Sequence, residues 1–124
     1  MKKRILIVED EQDMRDAMSD ALEQRGYEVL VAENGEVGLS LATQERPDFI
    51  ILDLLMPKVG GQEMLEYLRR DPWGKDVKVL ILTAMDDVQN VAEGYQKGIT
   101  DYVIKSSASL DDIVRKVSTA IHVS

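Results

Sequence analysis

Reactive side chains directly follow four of the short apolar segments in this sequence. They are two acids after the first segment, then an aspartate, a threonine and a lysine: Glu9 and Asp10, Asp53, Thr83 and Lys105. Carboxylates are hard oxygen ligands of the kind that Mg²⁺ accepts, with waters completing the octahedron. Carboxylates that share a cleft repel one another unless a cation compensates them. The set therefore predicts a Mg²⁺ site with a hydroxyl and an ammonium group beside it.

The chemistry that suits this set is phosphoryl transfer. With Mg²⁺ neutralising the phosphoryl oxygens, Asp53 can attack phosphorus and form an aspartyl phosphate. Lys105 can pair with the same oxygens as a mobile point charge, and the Thr83 hydroxyl can donate a hydrogen bond to one of them. An aspartate after a strand often only caps a helix or a turn. The joint placement after four segments favours one shared site.

Five apolar segments alternate with helical patterns along the chain. The segments are nearly continuous, as in parallel strands buried on both faces, and span residues 5–8, 27–32, 49–52, 77–82 and 102–104. Gly26 ends the first helical pattern, Asn34-Gly35 predicts a turn, and Ser109 with Asp112 forms a capping box before the last helix. The alternation predicts a three-layer (βα)₅ fold of the α/β class, with helices on both faces of a parallel sheet.

The strand order decides whether the reactive side chains meet. In open α/β sheets, ligands bind outside the carboxyl ends of the strands, at a topological switch point. In a flavodoxin-like sheet of order 2-1-3-4-5, the first, third, fourth and fifth strands are neighbours, and their ends lie at one edge. We predict this sheet, in a single domain over residues 1–124.

Composition excludes several classes of protein. The chain is 44% hydrophobic and 31% charged, as in soluble globular proteins, and its net charge of −8 argues against direct nucleic acid binding by this domain. The lack of cysteine rules out disulfides and zinc-thiolate sites. No signal peptide and no apolar stretch of about 18 residues is evident. We therefore expect a cytoplasmic protein without membrane contact.

The motifs together resemble the receiver domain family of response regulators, over essentially the whole chain. Four segments carry the resemblance: the acidic opening ILIVEDE, the phosphoacceptor motif ILDLLMPKVGG, the hydroxyl motif LILTA and the aromatic-lysine motif GITDYVIK. Within the phosphoacceptor motif, Pro57 and Gly61 follow Asp53 by four and eight residues, which is the spacing of the family.

The resemblance implies a phosphorylation-activated switch of a two-component phosphorelay. Glu9, Asp10, Asp53 and the backbone carbonyl of Leu55 would hold Mg²⁺. Asp53 would take its phosphoryl group from a phosphohistidine on a sensor histidine kinase or phosphotransfer protein, or from a small phosphodonor. The implied activity is self-catalysed phosphotransfer and autodephosphorylation, so we do not expect an enzyme.

The resemblance also implies how the signal leaves the domain. Thr83 and Tyr102 would form a switch pair that changes the face of the fourth helix, fifth strand and fifth helix. That face would control binding to a downstream protein or a covalently linked effector domain. A phosphorylation-dependent homodimer is a further implied partner. Leu55 and Met85, both apolar, would flank the path of the hydrolytic water, which predicts a long-lived phosphate.

Two positions depart from the family pattern. Ser106 follows Lys105, where the family usually has a proline joined by a cis bond. A cis bond before another residue costs about 2.5–4 kcal/mol, so we predict a trans Lys105–Ser106 bond. Gly60, seven residues after Asp53, stands where the family often has aspartate.

Three alternatives fit the sequence less well. Haloacid-dehalogenase-type phosphatases carry a second aspartate two residues after their nucleophile, and Leu55 stands there instead. A flavodoxin-like cofactor binder needs a Ser/Thr/Gly-rich phosphate loop after the first strand, whereas this chain has EDEQDM. The complete acidic set argues against a pseudo-receiver that serves only as a scaffold.

Overall fold

A single parallel sheet forms the middle layer of the computed structural model, which describes residues 2–54, 56, 59–84 and 88–122. Its order is β2-β1-β3-β4-β5, so the predicted strand order is confirmed. The strands are β1 Arg4–Val8, β2 Glu28–Ala32, β3 Phe49–Asp53, β4 Lys78–Thr83 and β5 Asp101–Ile104.

Five helices alternate with the strands: α1 Gln12–Gln24, α2 Gly35–Glu45, α3 Gly61–Arg70, α4 Val88–Gln96 and α5 Leu110–Ile121. The capping box of Ser109 and Asp112 is present at the start of α5. Gly26 follows α1 with a φ of 90°, a backbone conformation that glycine adopts at no steric cost. Among the described helices, none combines the length and apolar character that a membrane crossing requires.

The predicted turn at Asn34-Gly35 is instead the beginning of a helix. Gly35 is already the first residue of α2, and the Asn34 side chain accepts a hydrogen bond of 2.9 Å from the backbone N–H of Val37. Asparagine suits turns and helix N-caps for the same reason, because its short side chain satisfies nearby backbone groups. A Cβ at Gly35 would collide with the Val59 carbonyl oxygen, so the close approach of that loop also favours glycine here.

Both faces of the central strands β1, β3 and β4 are buried, as their continuous apolar segments predict, whereas the edge strands β2 and β5 are partly exposed. The layer toward α1 and α5 takes every second strand residue: Ile5, Ile7, Phe49, Ile51, Leu80, Leu82 and Val103. The layer toward α2 and α3 takes the alternate residues: Leu6, Val8, Ile50, Leu52, Val79 and Ile81. Each such side chain contributes about 1.5–3 kcal/mol by leaving water. This packing fixes the sheet rigidly, and with it the positions of the residues at the strand ends.

The register brings the strand ends to one edge of the sheet. Val8 pairs with Leu52 across β1 and β3, and Thr83 pairs with Ile104 across β4 and β5. The residues that follow these positions therefore share one side of the molecule. The described part of the chain has no cis peptide bond, which confirms the predicted trans Lys105–Ser106 bond.

Candidate functional site

Three carboxylates converge at the edge of the sheet. Glu9 follows β1, Asp53 ends β3, and oxygens of Glu9, Asp10 and Asp53 lie within 4.8 Å of one another. Glu9 and Asp53 are 0% and 2% exposed, whereas Asp10 is open to solvent. The cluster therefore has two buried members and one member that is accessible from solvent.

Lys105 crosses the cluster from the end of β5. Its Nζ lies 2.8 Å from Oε1 of Glu9, 3.1 Å from Oε1 of Glu11 and 3.2 Å from Oδ2 of Asp53. Burial alone would lower the pKa of Lys105, but the surrounding carboxylates outweigh burial and raise this pKa above its ordinary value. The side chain is thus a fixed positive charge beside Asp53 at neutral pH.

Glu9 is the most strongly perturbed acid of the cluster. Burial, and then the neighbouring Asp53, raise the pKa of Glu9 to about 8 against the opposing effect of Lys105. Nζ of Lys105 forms an ion pair with Glu9 but donates its hydrogen bonds to Glu11 and Asp53, and within the described residues neither oxygen of Glu9 accepts a hydrogen bond. Buried carboxylate oxygens without a donor are costly.

The cluster fits a divalent cation with hard oxygen ligands. Its donors are carboxylate oxygens, the set that Mg²⁺ prefers, and a bound cation would compensate the buried oxygens of Glu9 that lack a hydrogen bond. Asp10, the exposed member, leaves room for water ligands. The predicted carbonyl ligand, Leu55, lies outside the described residues.

Two residues that sequence reasoning missed shape the acidic loop. Arg15, one turn into α1, donates hydrogen bonds to the backbone carbonyls of Glu9 at 2.8 Å and Asp10 at 3.3 Å. Glu11 shares the Lys105 ammonium group. Glu11 belongs to the acidic opening motif and offered a signal, whereas nothing in the spacing of Arg15 distinguishes it from an exposed helical arginine.

Thr83 ends β4 beside this cluster and is 2% exposed. Its Oγ1 donates a long hydrogen bond of 3.3 Å to the Ala84 carbonyl oxygen. The backbone carbonyl of Thr83 accepts a hydrogen bond of 2.9 Å from the N–H of Lys105. A backbone hydrogen bond thus joins the two residues, so a movement of the end of β4 would also displace the end of β5.

Tyr102 lies on β5, away from the carboxylates, and is 37% exposed. Its ring meets the Tyr95 ring edge to face, with centroids 6.3 Å apart and planes at 89°. A cavity of about 860 Å³ opens nearby between β5 and α5, with Asp101, Arg115 and Lys116 in its lining. Tyr102 also lines this cavity, and none of the clustered carboxylates does.

The structure therefore brings together Glu9, Asp10, Asp53 and Lys105, with Thr83 at the adjoining strand end. Leu55 and Met85, the residues predicted to tune hydrolysis, lie outside the described residues, as does Pro57. Their predicted roles remain predictions.

Comparison with known proteins gives one family. Residues 5–118 match the sequence model of one protein family, which is described as the response regulator receiver domain. Among solved structures, the non-phosphorylated HemR receiver domain of Leptospira biflexa superposes with a TM-score of 0.90 at 27% identity, covering 99% of this chain and 97% of that one. The chemotaxis protein CheY4 of Vibrio cholerae gives 0.88 at 28% identity, covering 96% and 98%.

Curated relatives are longer than this chain. It is 43% identical over 102 residues to the DNA-binding dual master transcriptional regulator RpaA of Synechocystis, covering 82% of this chain and 42% of that protein. It is 35% identical over 113 residues to the phosphate regulon transcriptional regulatory protein PhoB of Pseudomonas aeruginosa, covering 91% and 49%. The chain thus spans about half the length of the curated relatives it matches.

Proposed function

This chain belongs to the response regulator receiver domain family, the phosphorylation-dependent switches of two-component signalling, and on that premise we propose that it is a Mg²⁺-dependent phosphoacceptor with Asp53 as its acceptor. The observation that carries the proposal is the convergence of Glu9, Asp10 and Asp53 within 4.8 Å, with the Lys105 ammonium group among them. Such an arrangement provides a nucleophile and compensating positive charge at one point.

Glu9, Asp10 and Asp53, with the backbone carbonyl of Leu55, would hold Mg²⁺, and its charge would offset that of the phosphoryl oxygens when bound. Arg15 keeps the backbone of the acidic loop in place through its hydrogen bonds to the carbonyls of Glu9 and Asp10. The rigid β1 and β3 hold the buried acids, so little ordering remains to be done when a phosphodonor arrives.

Asp53 is the nucleophile in this proposal. A carboxylate oxygen forms the new bond to phosphorus while the P–N bond of a phosphohistidine breaks, and the imidazole leaves with the electron pair. With acetyl phosphate, the P–O bond breaks and acetate leaves. Lys105, 3.2 Å from Oδ2 of Asp53, pairs with the transferred oxygens. The Thr83 hydroxyl donates to one of them.

The phosphodonor we propose is a sensor histidine kinase or a phosphotransfer protein. Because the curated relatives are transcriptional regulators about twice as long, the output we propose is a covalently linked effector domain or a downstream protein. A phosphorylation-dependent homodimer would form through the face of α4, β5 and α5. With its net charge of −8, the domain would leave contact with nucleic acid to the effector. It would act in the cytoplasm as a switch, without enzymatic turnover beyond its own phosphorylation and dephosphorylation.

Thr83 and Tyr102 are the proposed switch pair. A phosphoryl group adds about −1.5 to −2 charges, which would draw the Thr83 hydroxyl toward Asp53. Tyr102 would then turn into the space that Thr83 leaves. The phosphoryl group would thereby bias an equilibrium between two existing conformations of α4, β5 and α5.

The proposal is tested by following phosphorylation by intact mass in acetyl phosphate. We expect one added phosphoryl group in Mg²⁺ and none in EDTA, and Asp10→Ala, which removes a proposed Mg²⁺ ligand, should lose the phosphorylation. Mg²⁺ should also raise the melting temperature of the wild-type protein by mass action, but not that of Asp10→Ala.

The matched control is Asp13→Ala, which removes an exposed carboxylate three residues further on, in α1. It should behave as the wild type. Phosphorylation that persists in EDTA, or an equal loss in both variants, would contradict the metal site.

A second prediction concerns phosphate lifetime. Hydrolysis needs a water aligned in line with phosphorus, and Leu55 and Met85 offer no group to orient it. Changing Leu55 to Asn and Met85 to Glu should speed phosphate loss by roughly tenfold, which corresponds to only about 1.4 kcal/mol of barrier. Decay is measured after removal of the phosphodonor, in variants whose thermal unfolding matches the wild type. Equal or slower decay in the double variant would refute the prediction.

A further inference from the structure

Thr83 and Tyr102 point to the same face of the sheet. Successive residues of a strand alternate between faces, and Leu82 and Val103 belong to the layer under α1 and α5. Thr83 and Tyr102 therefore face the opposite side, where Ile81 lies buried. In the register, Tyr102 pairs with Ile81, two residues before Thr83. Tyr102 and Thr83 therefore lie on neighbouring strands and on the same face, displaced from each other by two residues along the strands. The motion of Tyr102 is proposed to respond to this threonine.

The helix α4 covers this face at close range. A Cβ at Gly94 would come within 2.9 Å of Cδ1 of Ile81 and 3.0 Å of Cδ1 of Ile99, so the helix backbone lies almost against β4. Tyr95, the next residue of α4, lies beside the Tyr102 ring.

The two rings touch in a preferred aromatic geometry. Their planes stand at 89° with centroids 6.3 Å apart, an edge-to-face arrangement that is attractive beyond simple burial. Burial, followed by the Asp101 carboxylate, raises the pKa of Tyr95, as expected for a hydroxyl held near β5. Both tyrosines remain accessible, at 49% and 37%, so the contact stabilises an outward ring and does not form part of the core.

We propose that Tyr95 is a positioning residue that holds the Tyr102 ring in its outward conformation and thereby sets the threshold of the switch. The inference rests on the proposed switch role of Tyr102. The edge-to-face contact is made by the outward ring, and a ring turned toward Thr83 gives it up. The contact therefore favours the unphosphorylated arrangement, and removing it should favour the phosphorylated one.

The size of the effect follows from the contact that is lost. Edge-to-face aromatic pairs shift an equilibrium by about 2- to 12-fold. In unphosphorylated Tyr95→Ala, the ratio of inward to outward Tyr102 should therefore rise by that factor. Tyr95→Phe keeps the ring and should retain the wild-type ratio, because the hydroxyl is not part of the contact.

The experiment measures the rotamer populations of Tyr102 by NMR, from three-bond scalar couplings, which do not depend on the ring current of a neighbouring aromatic residue. Spectra are recorded for the wild type, Tyr95→Ala, Tyr95→Phe and Tyr67→Ala, without phosphodonor and then with Mg²⁺ and acetyl phosphate. Tyr67 is the matched control, since it is exposed to 46% and lies on α3 against Arg70.

Each outcome is decisive. A shift in Tyr95→Ala alone, restored in Tyr95→Phe, supports the inference. If Tyr102 turns inward in the phosphorylated wild type but Tyr95→Ala matches Tyr67→Ala, the inference is overturned and the proposed switch stands. If the Tyr102 ring keeps its rotamer in the phosphorylated wild type, the proposed switch role fails and the inference falls with it.

Discussion

Asp53→Ala is expected to gain no phosphoryl group from acetyl phosphate and Mg²⁺, whereas the wild-type chain gains one. The variant removes the nucleophilic oxygen itself. Asp53 ends β3, is 2% exposed, and has the Lys105 ammonium group 3.2 Å from its Oδ2. Intact mass measures the product directly. The adduct of the wild type should be lost in base, as acyl phosphates are.

Two further variants make this result specific. Asp53→Asn keeps the shape of the side chain but replaces the carboxylate with a poor nucleophile, so it should also remain unmodified. Asp20→Ala removes an exposed carboxylate of α1 and should be phosphorylated as the wild type is. Undiminished modification of Asp53→Ala would show that the acceptor is elsewhere. A melting temperature near that of the wild type establishes that the variants are folded.

Gly61→Ala is expected to destabilise the protein by about 1–3 kcal/mol, the usual cost of forcing an extra methyl group into a packed site. Gly61 is the first residue of α3, and a Cβ there would strike the carbonyl oxygen of Asp53 and lie 2.6 Å from Cα of Leu54. Both contacts are with backbone, which cannot turn aside as a flexible side chain can. The helix or the phosphoacceptor segment must shift, so phosphorylation of Asp53 should slow as well.

The chain provides a matched control one residue earlier. At Gly60 the same methyl group would meet only the Leu54 carbonyl oxygen, at 3.7 Å, and the φ of −75° is open to any residue. Gly60→Ala should change stability by less than about 1 kcal/mol, because the lost freedom of the unfolded chain offsets the poorer suitability of alanine as the N-cap of α3. Urea unfolding of both variants measures the difference. Equal stability of the two would show that α3 does not press on Asp53 as described.

The sequence by itself determined the elements and the identity of the candidate site. Continuous apolar segments such as 49–52 can be buried only between two layers, and five of them alternating with helical patterns leave few arrangements other than a parallel sheet covered on both faces. Because parallel strands end at a common edge, the positions of Asp53 and Lys105 directly after such segments predict that they meet if the strand order is 2-1-3-4-5. These inferences rest on local periodicity, which a sequence displays directly.

Some local sequence patterns are compatible with more than one structure. Asn34-Gly35 suits both a turn and a helix start, and the structure selects the helix start, where the Val59 loop approaches Gly35 closely. Nothing in the sequence around Arg69 indicates which groups its side chain binds. In the fold, Arg69 donates to the carbonyls of Lys97, Gly74, Val77 and Gly98 and so joins α3 to the end of α4.

Only the tertiary structure decided the contacts between distant side chains. Lys105 meets Glu11 across 94 positions of sequence, the oxygens of Glu9 are buried beside it without a hydrogen-bond donor among the described residues, and Tyr95 on α4 meets Tyr102 on β5. Such contacts depend on rotamers and on the packing of helices against the sheet, to a fraction of an ångström. Periodicity specifies which face a residue occupies, but the side chain opposite it is set by the three-dimensional packing of the whole domain.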